Sequence, residues 1–404
     1  MSDSARPCIS GNLYINGQWT GTETSITNVS PSDTADVIGH FAQASLEHVS
    51  DAIAAANHAV GDWGRSPMET RYSVLMAIGN ELIERSRELG ELLAREEGKT
   101  HAEGIGEVYR SGQFFHYFAG EVHRQIDDRT DSVRPGIEVD TRREPVGVVA
   151  VISPWNFPMA TAVWKIAPAL AFGNSVVFKP ANLVPASAWA LTEIISRQSA
   201  LPAGTFNLVM GSGSTVGDAI INSDKIHAVS FTGSLPVGRE VAKATAANLV
   251  KCQLEMGSKN ALIVAADADL DVAVNAAFVG AYSGTGQKCT ASSRLIVDEA
   301  IHDQFVDKLV AKLRSTTVGH ALAEGVDMGP VASRQQLDEN LAWIEDGLSE
   351  GANLVFGGKP IQKSTEGYFM EPALFIDTTN DMRINRAELF APIACVMKAR
   401  DYED

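Results

Sequence analysis

The chain has 404 residues, 45% hydrophobic and 21% charged, as is ordinary for a soluble globular protein of two or three domains. Its net charge of −17, without any block of lysines and arginines, argues against nucleic acid or an anionic membrane as a partner. The apolar stretches are too short to span a bilayer, and the N-terminus lacks the apolar core of a signal peptide. The four cysteines are scattered, so we expect neither disulfides nor a metal site, and predict a reducing cytoplasm.

The first part of the chain is predicted to be mostly helical. Residues 11–19 alternate like a short strand, and helical patterns follow near 46–62, 67–97 and 100–124. The stretch 134–145 alternates polar and apolar residues between two prolines. We interpret it as an exposed strand arm that pairs with the sheet edge of another subunit, and a plain surface hairpin is the alternative.

From Val146 onwards, strands alternate with helices, which predicts a parallel sheet covered by helices on both faces. The predicted strands are 146–153, 175–179, 206–210 and 228–232, and the helices between and after them end near 171, 197, 221 and 247. A second unit begins after Glu255, with strands at 261–265 and 295–297 and helices at 269–281 and 301–314. Parallel sheets bind ligands at the carboxyl ends of their strands, so we expect the site there.

One thiol lies in a glycine-rich loop, Gly284–Thr290, just before a strand-like run. A lone carboxylate, Glu255, ends another apolar run. A thiolate can hold a substrate covalently, and a carboxylate can activate the water that releases it. Cys289 and Glu255 are therefore candidate catalytic residues, although a buried, inert position is the usual fate of a single cysteine.

Two turns join predicted strands to helices and are candidate phosphate sites. Gly211–Gly217, which contains Gly213, is one residue longer than the G-x-G-x-x-G dinucleotide pattern, and a structural turn is an equal alternative. Gly233 and Ser234 precede a helix whose first amides would face a phosphate. In isolation, this second segment is also typical of a tight turn.

Three further segments carry candidate binding or catalytic side chains. Lys179 ends a strand and is a candidate for a nucleotide ribose or phosphate, with a solvated lysine as the alternative. The segment Ser153–Pro158 holds Asn156 between prolines and aromatic residues, where its amide can donate to an oxyanion or only stitch the turn. Glu388 could bind a sugar diol, and Phe390 could wall a pocket.

The order of these motifs is more informative than any one of them. It runs Pro-Trp-Asn-Phe-Pro, Phe-Lys-Pro-Ala, Phe-Thr-Gly-Ser, Leu-Glu-Met-Gly-Ser-Lys-Asn, Gly-Gln-Lys-Cys-Thr, Glu-Leu-Phe-Ala-Pro. From Leu13 to the end, this order and spacing resemble the NAD(P)-dependent aldehyde dehydrogenase superfamily. The resemblance implies a Rossmann-type parallel-sheet cofactor domain (1–125 and 146–255), a β-strand oligomerisation arm (126–145) and an α/β catalytic domain (256–404).

The resemblance also implies roles for the catalytic candidates. Cys289 would attack an aldehyde to give a thiohemiacetal, whose oxyanion the Asn156 amide and the Cys289 N–H would hold. Hydride transfer to the nicotinamide would leave a thioester, which water activated by Glu255 would hydrolyse to a carboxylic acid. None of the nine histidines falls within these motifs, so no Ser-His-Asp arrangement competes.

The cofactor implied by the resemblance is NADP or NAD. Lys179 would bind the adenosine ribose, Ser234 the pyrophosphate and Glu388 the nicotinamide ribose. The complete set of expected cofactor-binding residues is Trp155, Lys179, Asn182, Gly213, Gly233, Ser234, Glu388 and Phe390. Many NAD-preferring members carry glutamate three residues after the lysine, where a carboxylate repels a 2′-phosphate. The neutral Asn182 at this position predicts that NADP is accepted or preferred.

The segments 157–168 and 286–293 look like the branch of the family that oxidises α-ketoglutaric semialdehyde (2,5-dioxopentanoate). Succinate-semialdehyde members usually have arginines at the positions of Trp164 and Ser283, so that substrate is disfavoured. A substrate that ends in a carboxylate still needs a cation or several hydroxyls. Arg110 and Arg124 in the preceding helix are candidates, with solvated helix arginines as the alternative.

Other functions stay open at this point. The chain could act on another small aldehyde or semialdehyde, or be a non-catalytic relative that keeps only the fold. An enzyme that acylates coenzyme A would normally lack the carboxylate of Glu255. Family members usually continue several dozen residues past the position of Asp404, so we expect an exposed sheet edge and an opened pocket here. For the full-length protein, we expect a homodimer or homotetramer.

Overall fold

The computed structural model describes residues 8–124, 127–401 and 403–404. Residues 1–7, 125, 126 and 402 lie outside the described residues, and residue 126 is the first residue of the predicted arm. The chain divides into two compact units. The first comprises Met1–Asn28, Gly39–Gly90 and Ile105–Glu255, and the second comprises Val29–Ile38, Glu91–Gly104 and Met256–Asp404. The assignment of a cofactor domain, an arm and a catalytic domain stays a prediction.

Strands come first in the chain, four long helices follow, and strands and helices then alternate. The α-helices are α1 (Leu46–Gly64), α2 (Met68–Glu84), α3 (Ser86–Glu97), α4 (His101–Val122), α5 (Ala160–Ala171), α6 (Pro185–Ser196), α7 (Asp218–Ile221), α8 (Leu235–Ala247), α9 (Leu270–Tyr282), α10 (His302–Arg314), α11 (Arg334–Ser349) and α12 (Arg383–Arg386). A π-helical turn, Gly213–Gly217, precedes α7, and a 3-10 turn, Ser283–Gly286, follows α9. Within the described ranges, no helix is long and apolar enough to cross a membrane.

The strands of the described residues form four sheets. They are β1 (Ile9–Gly11), β2 (Leu13–Ile15), β3 (Gln18–Thr20), β4 (Ser25–Ser30), β5 (Asp33–Ala42), β6 (Asp128–Asp131), β7 (Glu138–Thr141), β8 (Val148–Ile152), β9 (Ser175–Lys179), β10 (Phe206–Leu208), β11 (Ala228–Gly233), β12 (Lys251–Met256), β13 (Ala261–Val264), β14 (Arg294–Asp298), β15 (Asn353–Phe356), β16 (Ala373–Ile376) and β17 (Ile393–Ala399). The sheet orders are β1-β5-β4, β12-β11-β8-β9-β10-β2-β3, β13-β14-β17-β16-β15 and β6-β7.

Two predicted elements near the N-terminus were wrong in their continuity. The segment 11–19 is not one strand, because Asn16 and Gly17 have φ values of 50° and 77° and turn β2 back onto β3. The helix predicted over 67–97 is two helices, α2 and α3, separated at Arg85. The guanidinium of Arg85 binds Glu81, Glu88 and Glu193, which holds the chain at this break.

The sheet of the first unit confirms the predicted alternation of strands and helices. The pairs β10–β9, β9–β8 and β8–β11 are parallel, whereas β2 pairs antiparallel with β10. Every residue of β8 and of β9 is buried, which requires cover on both faces of the sheet. Helices α5 and α6 pack with α2, whereas α7 packs with α1 and α8, so two groups of helices supply this cover.

The sheet of the second unit is also covered on both faces. Successive side chains of a strand point to opposite faces, so neighbouring residues join different clusters. Ala394 and Val396 of β17 pack with residues of α9 and α10. Ile393 and Cys395 of the same strand pack with Ile344 of α11. This second unit is therefore another α/β layer structure with its own core.

The predicted arm contains a two-stranded hairpin. Strands β6 and β7 are antiparallel, with Asp128 paired to Thr141, and all of their residues are exposed. Arg129 and Glu138 form an ion pair across the two strands. Pairing of this hairpin with a second copy of the chain stays a prediction.

Candidate active site

The carboxyl ends of the parallel strands in the first unit lie at one edge of the sheet. Ile152 at the end of β8 pairs in register with Lys179 at the end of β9 and with Phe231 near the end of β11. The segments that follow these strands therefore begin side by side. Those segments carry Asn156, Lys179 with Asn182, and Gly233 with Ser234.

Asn156 lies in the connection between β8 and α5 and is only 5% exposed, while its neighbour Trp155 is half-buried. The carboxylate of Glu107, from α4, accepts hydrogen bonds from the backbone N–H groups of Met159 and Ala160 at 2.9 and 3.0 Å. A carboxylate at a helix N-terminus satisfies amides that have no partner within the helix. Glu107 thereby fixes the end of the segment that holds Asn156.

Lys179 is buried at the end of its strand. Its Nζ donates to the carbonyl of Pro180 at 3.1 Å, and its side chain packs against Gly217. Burial of the amine lowers the pKa of Lys179 to about 8. Gly213, in the same turn as Gly217, is exposed, and a Cβ placed there would meet no atom within 4 Å. Asn182 is also exposed.

The start of α8 fits an anionic group such as a pyrophosphate. Ser234 is the N-cap residue, but its side chain makes no capping hydrogen bond to this helix. The first amides of α8 are thus not satisfied by their own cap, and the positive end of the helix dipole lies there. The buried hydroxyl of Thr232, next to Gly233, also has no hydrogen-bond partner within the described structure. These groups are suited to a dinucleotide, which is the cofactor predicted above.

Glu255 belongs to a short hydrogen-bond network on β12. Its Oε1 accepts from Gln253 Nε2 at 2.8 Å. The Oε1 of Gln253 in turn accepts from Ser230 Oγ at 2.6 Å and from Lys165 Nζ at 3.3 Å. Burial lowers the pKa of Lys165 to about 8, and the Glu255 charge opposes this shift. The network holds the carboxylate in one orientation and links it to a cation.

The first unit also contains a cavity of about 680 Å³ beside this network. Its volume lies within the range typical of small-molecule sites. One side is formed by α4 and another by α5, with Glu255 completing the lining. The lining residues are Arg110, Gln113, Phe114, Tyr117, Phe118, Trp164 and Glu255.

The loop that carries Cys289 is fixed by several contacts within the second unit. Gly284, Thr285 and Gly286 all have positive φ, which is unfavourable for Thr285 and persists only where the surroundings enforce it. The N–H of Gly284 donates to Glu103 at 2.7 Å, and the amide oxygen of Gln287 accepts from the Ala332 N–H at 2.9 Å. The half-buried Cys289 is thus held in one place.

The segments 257–260 and 388–391 contact each other, and each also contacts the loop that carries Cys289. Asn260 Nδ2 donates to the carbonyl of Cys289 at 3.2 Å. Gly286 packs so closely against the Ala391 carbonyl that only glycine fits there. Gly257 packs against the carboxylate of Glu388, and this partial desolvation raises the pKa of Glu388. The second unit therefore gathers Cys289, Glu388 and the backbone of Phe390 around one loop.

Comparison of this chain with known proteins identifies its family. The model of the aldehyde dehydrogenase family matches residues 19–404. The chain belongs to the aldehyde dehydrogenase family. It is similar to the alpha-ketoglutaric semialdehyde dehydrogenase of Bacillus subtilis, with 41% identity over 97% of this chain and 81% of that protein. The 2,5-dioxopentanoate dehydrogenase of Saccharolobus solfataricus is 38% identical over 95% of this chain and 80% of that protein.

The fold is confirmed by a solved structure from the same family. The betaine aldehyde dehydrogenase of Staphylococcus aureus, crystallised with NAD+, is 33% identical and superposes with a TM-score of 0.95. The match covers 97% of this chain and 79% of that one. The predicted mixed α/β architecture of the aldehyde dehydrogenase type is thereby confirmed.

Several residues of this site were not found from the sequence. Glu103 and Glu107 read as ordinary carboxylates of a helix, yet each accepts backbone N–H groups of a site segment. Gln253 donates a hydrogen bond to Glu255, and Lys165 donates one to Gln253. The sequence pattern around them indicates only a strand and a buried helix. Lys165 offered one signal, since a charged residue in an otherwise apolar helix needs a partner.

The contact between Gly257 and Glu388 leads to a test. In a Gly257→Ala variant, the added methyl group would overlap the Glu388 carboxylate, which lies at the end of a flexible side chain and can move away. We expect the melting temperature to change little, while KM for the cofactor rises roughly tenfold because a charged hydrogen-bond acceptor is displaced. Steady-state kinetics with varied cofactor would measure this.

Gly106→Ala is a suitable control, since a Cβ there meets no atom within 4 Å. An unchanged KM in Gly257→Ala would show that the position of Glu388 does not matter for the cofactor.

Proposed function

We propose that this chain oxidises α-ketoglutaric semialdehyde to 2-oxoglutarate, with NADP or NAD as the hydride acceptor. The substrate assignment rests on the similarity of this chain to the two semialdehyde dehydrogenases, at 41% and 38% identity. The cavity lined by Glu255 supports this assignment, because its apolar walls suit a short carbon chain and its lining includes the cationic Arg110. Cytoplasmic localisation stays a prediction.

The chemistry begins at Cys289. Its thiolate attacks the aldehyde carbon, a C–S bond forms, and the carbonyl electrons move to oxygen. The side-chain amide of Asn156 and the backbone N–H of Cys289 donate to this oxyanion. Removing one such donor typically costs about 3 kcal/mol of transition-state stabilisation. The fixed Cys289 loop and the Glu107 cap hold both donors before the substrate arrives.

Glu255 completes the reaction. When bound, the dinucleotide accepts the hydride of the thiohemiacetal, which leaves an acyl group on the sulfur of Cys289. Glu255 takes a proton from water, the resulting hydroxide attacks the thioester carbon, and the C–S bond breaks to release the carboxylic acid and the thiolate. The amide of Gln253 orients Glu255, and Gln253 also accepts a hydrogen bond from Lys165.

Residues at the carboxyl ends of the parallel strands would hold the cofactor. Ser234 and the first amides of α8 suit the pyrophosphate, while Lys179 suits the adenosine ribose or its 2′-phosphate. Asn182 adds no negative charge near that phosphate. In the second unit, Glu388 would bind the nicotinamide ribose and Phe390 would pack near the nicotinamide. Trp155, Gly213 and Gly233 complete the proposed cofactor set.

Oligomerisation is also proposed, as a homodimer or homotetramer of the full-length protein. It is supported by strands β6 and β7, whose residues are all exposed in the described part of the chain, as is typical of a strand edge that pairs with another copy.

The assigned roles of Cys289 and Glu255 can be separated. We expect Cys289→Ala to abolish formation of reduced cofactor, because no covalent intermediate can form. Glu255→Gln should form the acyl-enzyme but hydrolyse it slowly, so intact-protein mass spectrometry would detect the added acyl mass. Turnover by Cys289→Ala would refute the nucleophile, and the absence of any acyl adduct in Glu255→Gln would refute the role of the carboxylate.

Cofactor choice should depend on pH through Lys179. Its pKa of about 8 means that the amine is charged below this pH and loses its charge above it. Because a 2′-phosphate interacts with the charged form, KM for NADP should rise between pH 7 and 9 more steeply than KM for NAD. Lys179→Met should remove the difference. A strong preference for NAD with parallel pH profiles would contradict the proposal.

The substrate assignment is tested with a panel of aldehydes and the absorbance of reduced cofactor. We expect kcat/KM to be highest for α-ketoglutaric semialdehyde, followed by succinic semialdehyde, with neutral pentanal lower because it lacks a carboxylate. A highest value for a neutral aldehyde would overturn the substrate and leave the chemistry of Cys289 unaffected.

A further inference from the structure

We propose that Arg110 is the residue that selects the substrate, by binding the carboxylate at the end opposite to the aldehyde. This proposal rests on the proposed oxidation of a semialdehyde and extends it to the recognition of the substrate's far end. It follows from the charges, the walls and the hydrogen bonds of the cavity in the first unit.

The charges of the cavity are arranged to orient an anion. Arg110 and Glu255 are the charged residues of its lining. A substrate carboxylate is attracted to the guanidinium and repelled by Glu255, so it settles at the Arg110 end. The other end of the same molecule then points toward Glu255, where water must be activated. One positive and one negative group in a single cavity thus define the direction in which the substrate binds.

Arg110 is held ready for such a contact. Its Nη1 donates to Gln113 Oε1 at 3.1 Å, and its Cζ lies 5.1 Å from the centre of the Phe114 ring. Phe114 is itself braced edge-on by Trp164, with ring centres 6.0 Å apart. A guanidinium has five N–H donors in a planar fork that matches a carboxylate. Most of these donors remain available after the contact with Gln113.

The second candidate arginine differs in each of these respects. Arg124 pairs with Glu121 at 2.8 Å and is not part of the cavity lining. Among the described residues, no carboxylate forms a salt bridge with Arg110, although the chain carries a net charge of −17. An exposed arginine without a carboxylate partner among the described residues, in the lining of an aromatic cavity, suits an anionic ligand.

The aromatic walls match the rest of the substrate. Phe114, Tyr117, Phe118 and Trp164 line the same cavity as the two charged groups. Between its carboxylate and its aldehyde, α-ketoglutaric semialdehyde has a keto carbon and two methylenes, and the methylenes gain from leaving water. A neutral aldehyde would use the walls but not Arg110, and this difference makes the residue testable.

The experiment compares Arg110→Met with the wild-type chain on α-ketoglutaric semialdehyde, succinic semialdehyde and pentanal. We expect kcat/KM for both semialdehydes to fall roughly 10- to 100-fold, as for the loss of a charged hydrogen-bonded contact, while pentanal stays unchanged or improves. Arg110→Lys should retain part of the selectivity, because the charge remains without the planar fork. Arg124→Met removes the same charge outside the cavity and should behave like the wild type.

Equal losses on all three aldehydes, or no loss on the semialdehydes, would overturn the role of Arg110. A wild-type chain that prefers succinic over α-ketoglutaric semialdehyde would refute the proposed substrate, yet a selective loss in Arg110→Met would still support this inference. Binding of 2-oxoglutarate, measured by calorimetry, gives a readout without catalysis. It should weaken by a similar factor in Arg110→Met and not in Arg124→Met, and equal affinity in all three proteins would refute the proposal.

Discussion

The in-register pairing of parallel strands is the constraint on which the first unit depends. Ile152, Lys179 and Phe231 stand side by side because β8 pairs residue by residue with both β9 and β11. A slip of one residue would turn every side chain of a strand to the opposite face. Since β8 and β9 are buried throughout, such a slip would disturb the packing on both faces. The core therefore fixes the edge from which the candidate site segments begin.

In the second unit, a strained loop fixes the position of the candidate nucleophile. Three successive residues with positive φ turn the chain after α9 and place Cys289 before β14. Contacts from Glu103, Gln287 and Asn260 hold this turn, and Gly286 and Gly257 allow the 388–391 segment to approach closely. Backbone strain of this kind persists where surrounding structure enforces it, which is common at sites that must be preorganised.

Buried lysines give both units a common electrostatic feature. Burial lowers the pKa of Lys165, Lys179 and Lys259 to about 8 in each case. Removing an ammonium group from water opposes folding, so each lysine is tolerated only where other contacts offset this cost. Lys165 lies near Glu255, Lys179 lies at the strand edge, and Lys259 is adjacent to Asn260 and electrostatically coupled to Glu388. Groups with such shifts gather at functional sites, which agrees with the positions of these three.

Much of this protein was determined by local sequence alone. The strand-helix alternation after Val146, the family and the candidate residues Cys289, Glu255 and Asn156 all follow from motifs and their order, because turns and buried strands have strong local signatures. Only the tertiary structure decided which polar groups meet. The network from Lys165 through Gln253 to Glu255 joins residues far apart in the chain, and so does the cavity lining, which contains Arg110 and Glu255 but not Arg124. Such contacts depend on how helices pack on the sheet, which residue spacing does not encode.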